Sequence, residues 1–496
     1  LLSVHYAKET IKDSFFSKEW CPTALKVSLS FLALSFLVWV FLDILNGPWD
    51  HDGGYYLALS FYIKKGLLPY IDFPANYPPL MPFLNAVPLL FSMEHLIALV
   101  LIPFTWVAAN AFVTFFLVLN FGGTVVSALL WTALFSVFSI ENGGNHVTLE
   151  HGIVFFSSLS LLAVRLANKS RTAAFLTGFF FACACLTKQV GIILLLPLYA
   201  LLKGDDFKPD LKNILPMAAG FISLPFITLA WLNFDLGAIF QNLFVSFYKY
   251  SQKNDARDFM FMIKEFNRSP FTAWLFILLL VSGLFRLWKE KGKDRFILLS
   301  LLLTTMLFFF MRCIRNYPHY SLNCWPFLVL SFCYIDRDSR ISGKIFRIGV
   351  IASLTFVLVF ASIRDSIRGN ARWSNPGVLL GFFSVAAKEV RNRTLPEDKI
   401  VELGEEHVIQ FLSERLPQDF GLHWYTPLSE VPDEGNLTIL IDFGQGGVAE
   451  KRKELVSNGY DMVYRDEWRV KHQKHRFHYM GYLLEIYEKK SKKDAA

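Results

Sequence analysis

The feature that most limits how this chain can fold is a series of apolar runs, each roughly 15–25 residues long, separated by short clusters of charge. The runs lie at 24–44, 96–118, 124–140, 151–167, 173–187, 189–203, 213–233, 273–288, 296–312, 319–335 and 346–363. A hydrocarbon layer about 30 Å thick is spanned by about 20 apolar residues in helical form. Inside that layer a backbone N–H or C=O finds no water, so such runs form helices that bond internally. Apolar residues make up 53% of the 496 positions, above the roughly 45–50% usual in soluble domains. The pattern predicts an all-α polytopic membrane domain of about eleven transmembrane helices, with further juxtamembrane helices on the outer side. The first run has no small-residue cleavage pattern after it and reads as a retained span, not a signal peptide. The two runs within 173–203 are short for two full crossings, which predicts tilted or broken helices there.

Charge decides orientation. With Lys8, Lys12, Lys18 and Lys26 in the cytoplasm, "NKSR" (168–171), "KGDDFKPDLK" (203–212), "RLWKEKGKDR" (286–295) and "DRDSRISGKIFR" (336–347) fall on the same side, as the positive-inside rule requires. "NFGGT" is an uncharged turn on that side. The net charge of +7 therefore reports orientation and no nucleic-acid partner. An integral protein of a plasma or inner membrane follows, with its N-terminus cytoplasmic. The opposite face then collects residues 49–83, "SIENGGNHVTLEHG" (139–152), Lys188, the 234–272 loop, "MRCIRNYPHY" (311–320) and the C-terminal tail.

The tail changes character. "DKIVELG", "LTILIDFG", "DMVYRDEW" and "YMGYLLEIYEK" read as strands, "EEHVIQFLSERL" and "VAEKRKELVSNGY" as helices. Strands alternating with helices predict a small α/β domain outside the cytoplasm. The boundaries drawn are 1–388 for the transmembrane domain and 389–496 for the α/β domain. Cys21, Cys183, Cys185, Cys313, Cys324 and Cys333 show no metal-ligand spacing and read as apolar fillers.

Several residues on the collecting face invite chemistry. Asp52 precedes Gly53, Gly54 and "YYLALSFYIKKG", whose spacing predicts an amphipathic helix lying in the outer interface. At its N-terminus the helix dipole keeps a carboxylate ionised, although an ordinary Asp cap would look the same. The proline-rich "PYIDFPANYPPL" holds Asp72 and leads into a short apolar segment (80–92) that, by charge parity, stays on the surface. Lys188 stands between two apolar runs. A charge at full membrane depth costs about 2.5–3.5 kcal/mol, so it calls for a partner and a function, unless the lysine snorkels to the interface. Arg312, Arg315 and His319 end a span. Arg suits phosphate, and interface anchoring beside Tyr317 and Tyr320 is the competing explanation. Glu150 and His151 stand where a loop becomes a helix, and with His146 they fall short of a metal set; no metal and no other cofactor is expected. Arg364, Arg368 and Arg372 form a stripe suited to lipid phosphates or to plain solvation. Asn267, Asn392 and Asn436 match the glycosylation sequon, which is frequent by chance.

An Asp-Gly at the mouth of the first span, then "YY", "G-x-x-PY-x-DF" and "PPL", resembles the first outer loop of the C-type, membrane-embedded glycosyltransferases. The branch it is similar to holds protein O-mannosyltransferases and lipid A aminoarabinose transferases. "GFFFACACLTKQVGIILLLPL" (178–198), "RNYPHYSLNCWPFLVL" (315–330) and an α/β domain after the last span extend the likeness over nearly the whole chain. The resemblance implies a donor sugar carried on a polyprenyl monophosphate and an inverting transfer outside the cytoplasm. It places the general base at Asp52. The family's second acid is Gly53 here, so Asp50 stays open as the base or its helper. Lys188, Arg312, Arg315 and His319 would hold the donor phosphate, and Glu150, His151, Asp72 and Tyr55 the sugars. Expected partners are membrane lipid, the lipid-phosphate sugar and a protein, lipid or glycan acceptor. The competing functions are a transporter or flippase, and a ligase of lipid-linked saccharides. Transporters tend to carry repeated halves, and none is evident here.

Overall fold

A computed structural model describes residues 51–91, 95–142, 144, 146–202, 211–246, 270–315, 318–336, 378–403, 408–417, 437–442, 448–457, 460–468 and 482–489, with a few positions between 34 and 44. Asp50, Cys21, most of the run at 24–44, the run at 346–363, the arginine stripe at 364–372 and the sequons at Asn267 and Asn436 lie outside the described residues. So do most of the cytoplasmic lysine and arginine clusters named above. The chain packs into two compact units. One comprises Leu1–Ile44, Asn76–Met81 and Pro103–Ile363; the other Leu45–Ala75, Pro82–Ile102 and Arg364–Ala496.

The helices are α1 His51–Lys64, α2 Leu80–Leu90, α3 His95–Asn120, α4 Val125–Glu141, α5 Leu149–Ala167, α6 Arg171–Thr187, α7 Leu195–Leu202, α8 Leu211–Trp231 and α9 Leu236–Phe240. They continue as α10 Pro270–Lys289, α11 Gly292–Arg315, α12 Trp325–Asp336, α13 Val378–Arg393, α14 Val408–Ser413 and α15 Val448–Ser457. Ile97–Asn120, Leu149–Ala167, Lys212–Trp231 and Gly292–Arg312 are long and apolar enough to cross a membrane, by length and composition. The protein is an integral membrane protein of mostly helical fold. The segment from Arg171 to Leu202 is a broken helix: α6 stops at Thr187, a 3₁₀ turn covers Gln189–Leu194, and α7 resumes at Leu195.

Within the first unit, α6 packs on both α5 and α8. A Cβ on Gly178 would lie 1.8 Å from the Met217 carbonyl oxygen, and one on Gly220 would lie 2.0 Å from that of Phe175. The two glycines thus let the backbones of α6 and α8 meet, the usual route to tight helix contact where lipid removes the hydrophobic drive. Hydroxyls buried in apolar helices bond to their own helix: Thr177 to Ala173 O, Thr304 to Ser300 O, Thr305 to Leu301 O and Ser331 to Phe327 O. Trp325 is fully buried against Trp131, Phe135 and Phe138, and its indole N–H donates to Thr114 Oγ1 at 3.0 Å. Cys183, Cys324 and Cys333 are buried and form no disulfide among the described residues.

The second unit has a five-stranded mixed sheet in the order β2-β1-β3-β5-β4. Its strands are β1 Lys399–Leu403, β2 Leu416–Pro417, β3 Leu437–Asp442, β4 Tyr460–Trp468 and β5 Tyr482–Lys489. β2, β1 and β3 run parallel, while β5 is antiparallel to β3 and β4. Ile400, Val401, Ile439, Leu455, Ile486 and Tyr487 form its core. Arg415 ties the end of α13 to β2, donating to Thr394 Oγ1, Thr394 O and Ser413 O.

One expectation is corrected here. The helix after Asp52, predicted to lie amphipathically in the interface, is buried on all sides from Tyr56 to Tyr62. Its polar groups are satisfied within the unit: Ser60 donates to Tyr56 O, and the Tyr62 hydroxyl donates to Gln410 Oε1 on α14. Phe61, His95 and Phe411 interlock edge to face beside this contact, with His95 Nδ1 3.3 Å from Glu414 Oε1. The apolar spacing of 55–66 was a core signal.

Two outcomes follow from this packing. Replacing Gly178 by Val forces the α6–α8 crossing apart at a cost of about 1–3 kcal/mol. The melting temperature of the detergent-solubilised protein should fall clearly, whereas Val281→Ala, at a position 65% exposed, should leave it nearly unchanged. His95 supplies the second. Burial pushes its imidazole from 6.5 down to about 4, opposed by Glu414 and reinforced by Lys64, Lys65 and Arg391. Folded His95 stays neutral in that window while the unfolded chain takes up a proton, so the unfolded state binds more protons. Stability is then complete above about pH 6.5 and declines as pH falls toward about 4. His95→Phe should narrow the difference between melting temperatures taken near pH 7 and near pH 5.

Candidate functional site

A buried ion pair lies within the first unit. Thr148 caps α5, accepting the Glu150 amide N–H at 2.9 Å, and its hydroxyl donates to Glu150 Oε2. Glu150 therefore sits in the first turn of a helix, where the N-terminal dipole favours a carboxylate. Lys188 caps the other end of its neighbour. It is the extended residue (φ −157°, ψ 140°) between α6 and the 3₁₀ turn, and its amide donates to Ala184 O. A cation at a helix C-terminus is favoured in the same way. Its ammonium donates to Glu150 Oε1 at 2.6 Å. Lys188 is 3% exposed and Glu150 1%.

Aromatic rings close over the cation. Nζ stands 3.8 Å from the Tyr320 ring centroid and 5.2 Å from that of Tyr77. Such contacts add to ammonium stabilisation most where water is displaced. The backbone break at Lys188 depends on Gly191, whose Cβ would lie 2.5 Å from the Ala184 carbonyl. Gln189 Nε2 donates to Asn76 O at 3.5 Å, holding this junction to the segment that carries Tyr77.

The histidines gather around the pair. His319 is buried, stacks on Tyr320 at 5.2 Å, faces the His146 ring at 6.1 Å and acts electrostatically on Glu150. His151 is fully buried, its Nε2 2.9 Å from Gly144 O, and its carbonyl accepts from Asn110 Nδ2 at 3.0 Å. Among the described residues no group of three or more His, Cys, Asp or Glu has a metal-holding arrangement.

The sequence-selected residues thus divide. Lys188, Glu150, His151 and His319 come together. Arg312 is buried in the last full turn of α11, and of Arg315 only the backbone is described, at the end of the same helix. Asp52, Tyr55 and Asp72 belong to the second unit. The Asp52 backbone is in the first turn of α1; Tyr55 packs on Tyr56 at 5.5 Å. Asp72 is exposed and closes its own turn, accepting the Leu68 N–H at 2.6 Å. Sequence reasoning missed the partner of Lys188. The Thr-x-Glu at the start of an apolar run was a signal for a capped carboxylate. Tyr77, in "YPP", carried no comparable signal.

No protein-family model matches this sequence, and no curated protein matches it. Among solved structures, the crystal structure of ArnT from Cupriavidus metallidurans bound to undecaprenyl phosphate is similar, with a TM-score of 0.57 at 14% identity, over 94% of this chain and 98% of that one. The chain shares the fold of that ArnT. The apo state of the same ArnT gives a TM-score of 0.57 at 14% identity, over 93% and 98%. The apo oligosaccharyltransferase of Archaeoglobus fulgidus is more distant, at 0.47 and 13% over 82% of this chain and 65% of that one.

Removing one partner of a buried pair leaves the other charge uncompensated, at a cost of about 3–5 kcal/mol. Glu150→Ala and Lys188→Ala should each lower the melting temperature strongly. The double variant Glu150→Gln, Lys188→Met should lose much less than the sum of the single changes, as read by thermal unfolding of all variants in one detergent.

Proposed function

We propose that this protein is an inverting glycosyltransferase that moves one sugar from a polyprenyl-phosphate carrier to an acceptor on the non-cytoplasmic side of the membrane. The observation that carries the reading is the buried Lys188, held ionised by Glu150 and two tyrosine rings at a helix break. A cation fixed in a dry, low-dielectric site stabilises negative charge that develops nearby far better than one in water. Glu150 accepts only one of its three protons. The fold likeness to an ArnT crystallised with undecaprenyl phosphate supports a lipid monophosphate as the anion.

In the proposed step an acceptor hydroxyl oxygen attacks the anomeric carbon as the bond from that carbon to the phosphate oxygen breaks. The hydroxyl proton passes to the Asp52 carboxylate. The electron pair leaves on the lipid phosphate, whose charge is met by Lys188, with Arg312, Arg315 and His319 as further candidates. A single displacement inverts the anomeric centre. General-base assistance of this kind contributes typically 10²–10⁴-fold. Asp50 remains the alternative base, since Gly53 stands where the related enzymes have their second acid. Glu150 acts first on Lys188; His151, Asp72 and Tyr55 remain sugar-binding candidates. The α/β domain, residues 389–496, is assigned to shaping the acceptor entrance outside the cytoplasm. No metal or organic cofactor is required by this step.

The test uses the protein in lipid nanodiscs with undecaprenyl-phosphoryl mannose, glucose and arabinose as trial donors. Asp52→Asn should reduce transfer by at least a hundredfold while donor affinity stays near the wild-type value. Lys188→Met should weaken binding of undecaprenyl phosphate itself. Translocation of the intact lipid at wild-type rate by Asp52→Asn, with no transfer by the wild type, would establish a flippase instead.

A further inference from the structure

The 3₁₀ turn Pro318–Cys324 carries more than the two residues already placed beside the ion pair. Side chains three apart eclipse one another in a 3₁₀ helix, so the turn has three faces. Contacts identify them. Cys324, on the face of Ser321, turns toward α11, with its thiol 3.5 Å from Thr305 O. His319, on the face of Leu322, meets His146. The third face holds Tyr320, whose ring covers Lys188, and three residues on it holds Asn323. Asn323 is 0% exposed, and neither its Nδ2 nor its Oδ1 meets a hydrogen-bond partner among the described residues.

A buried amide with both ends unmatched is unusual, because burial strips its water and no group among the described residues replaces it. A leucine of similar size would fill the same space without that loss. The chemistry of the amide indicates what it would meet. It offers donors at one end and an acceptor at the other, and carries no charge. A phosphate has only acceptors and would leave Oδ1 unmatched; a hydroxyl both donates and accepts. Lys188 and Asn323 therefore suit different parts of one ligand, the first the anion and the second neighbouring hydroxyls.

We propose that Asn323 is a sugar-recognition residue, binding a pair of neighbouring sugar hydroxyls brought next to the Lys188–Glu150 pair. This rests on the transferase reading and adds the neutral half of the site to it. The hydroxyls belong either to the donor sugar or to a glycan acceptor, and the measurements separate the two.

The test measures affinity of the wild type and Asn323→Leu in nanodiscs for undecaprenyl phosphate and for the same lipid carrying mannose, glucose or arabinose. For a donor-sugar contact, Asn323→Leu should weaken the sugar-bearing lipid about tenfold and leave the bare lipid unchanged. For an acceptor contact, both lipids should bind as in the wild type, while KM for a methyl glycoside acceptor rises about tenfold. Equal weakening of both lipids, or no change in donor affinity or acceptor KM, overturns the proposal. So does a lower melting temperature of the ligand-free Leu variant with sugar discrimination retained, which would mark a structural amide. Asn323→Ser repeats the measurement should the Leu variant fail to fold. Lys188→Met is read separately on the bare lipid: an unchanged affinity there counts against the phosphate reading alone. A wild type that binds neither lipid overturns both.

Discussion

An ammonium and a carboxylate locked together in an apolar helix bundle set the terms for everything around them. Neither ion survives alone in such surroundings; each needs the other and a shell of matched groups. The chain meets that demand with backbone as much as with side chains. Glu150 sits at a helix start, where free N–H groups favour it, and Lys188 at a helix end, where free carbonyls favour it. Thr148 takes the second carboxylate oxygen, and Tyr320 and Tyr77 present ring faces to the cation. The break between α6 and the 3₁₀ turn is the structural condition for this arrangement, because a continuous helix would have no C-terminus at Lys188.

Holding a broken helix in place requires neighbours that fit closely. Gly178 and Gly220 bring α6 and α8 to backbone contact, and Gly191 lets the 3₁₀ turn fold back on the end of α6. Hydroxyls along the apolar helices bond to their own carbonyls, so they add no demand on the packing. The second unit follows different rules. Its mixed sheet and the buried α1 are tied by the Tyr62–Gln410 hydrogen bond and by the Phe61–His95–Phe411 cluster, contacts that join segments far apart in sequence.

The fold is shared with ArnT from Cupriavidus metallidurans. At 14% identity the fold is what that likeness conveys. The chemistry has to be argued from the site itself. A fixed cation, tyrosine faces and a histidine lie together there, and the 3₁₀ turn that carries Tyr320 also carries the amide proposed to meet hydroxyls. Gly53 follows Asp52 directly, so the proposed proton transfer has no second acid adjacent to it in sequence.

Much of the helical framework was legible in the sequence. Apolar runs between 96 and 335 coincide with helices to within a few residues, and the strands at 399–403, 437–442, 460–468 and 482–489 fall where alternation and β-branched residues put them. Lys188 was conspicuous because a lone charge between apolar runs has few inexpensive explanations. What the sequence determined is what depends on near neighbours: hydrophobic period, capping residues and the misfit of a buried charge. Tertiary structure alone decided that Glu150, 38 positions away, answers Lys188. It alone decided that Tyr77 and Tyr320 roof the pair, and that the helix after Asp52 is core and not surface. These outcomes depend on which helices lie side by side, and an apolar face reads alike whether it meets lipid or protein.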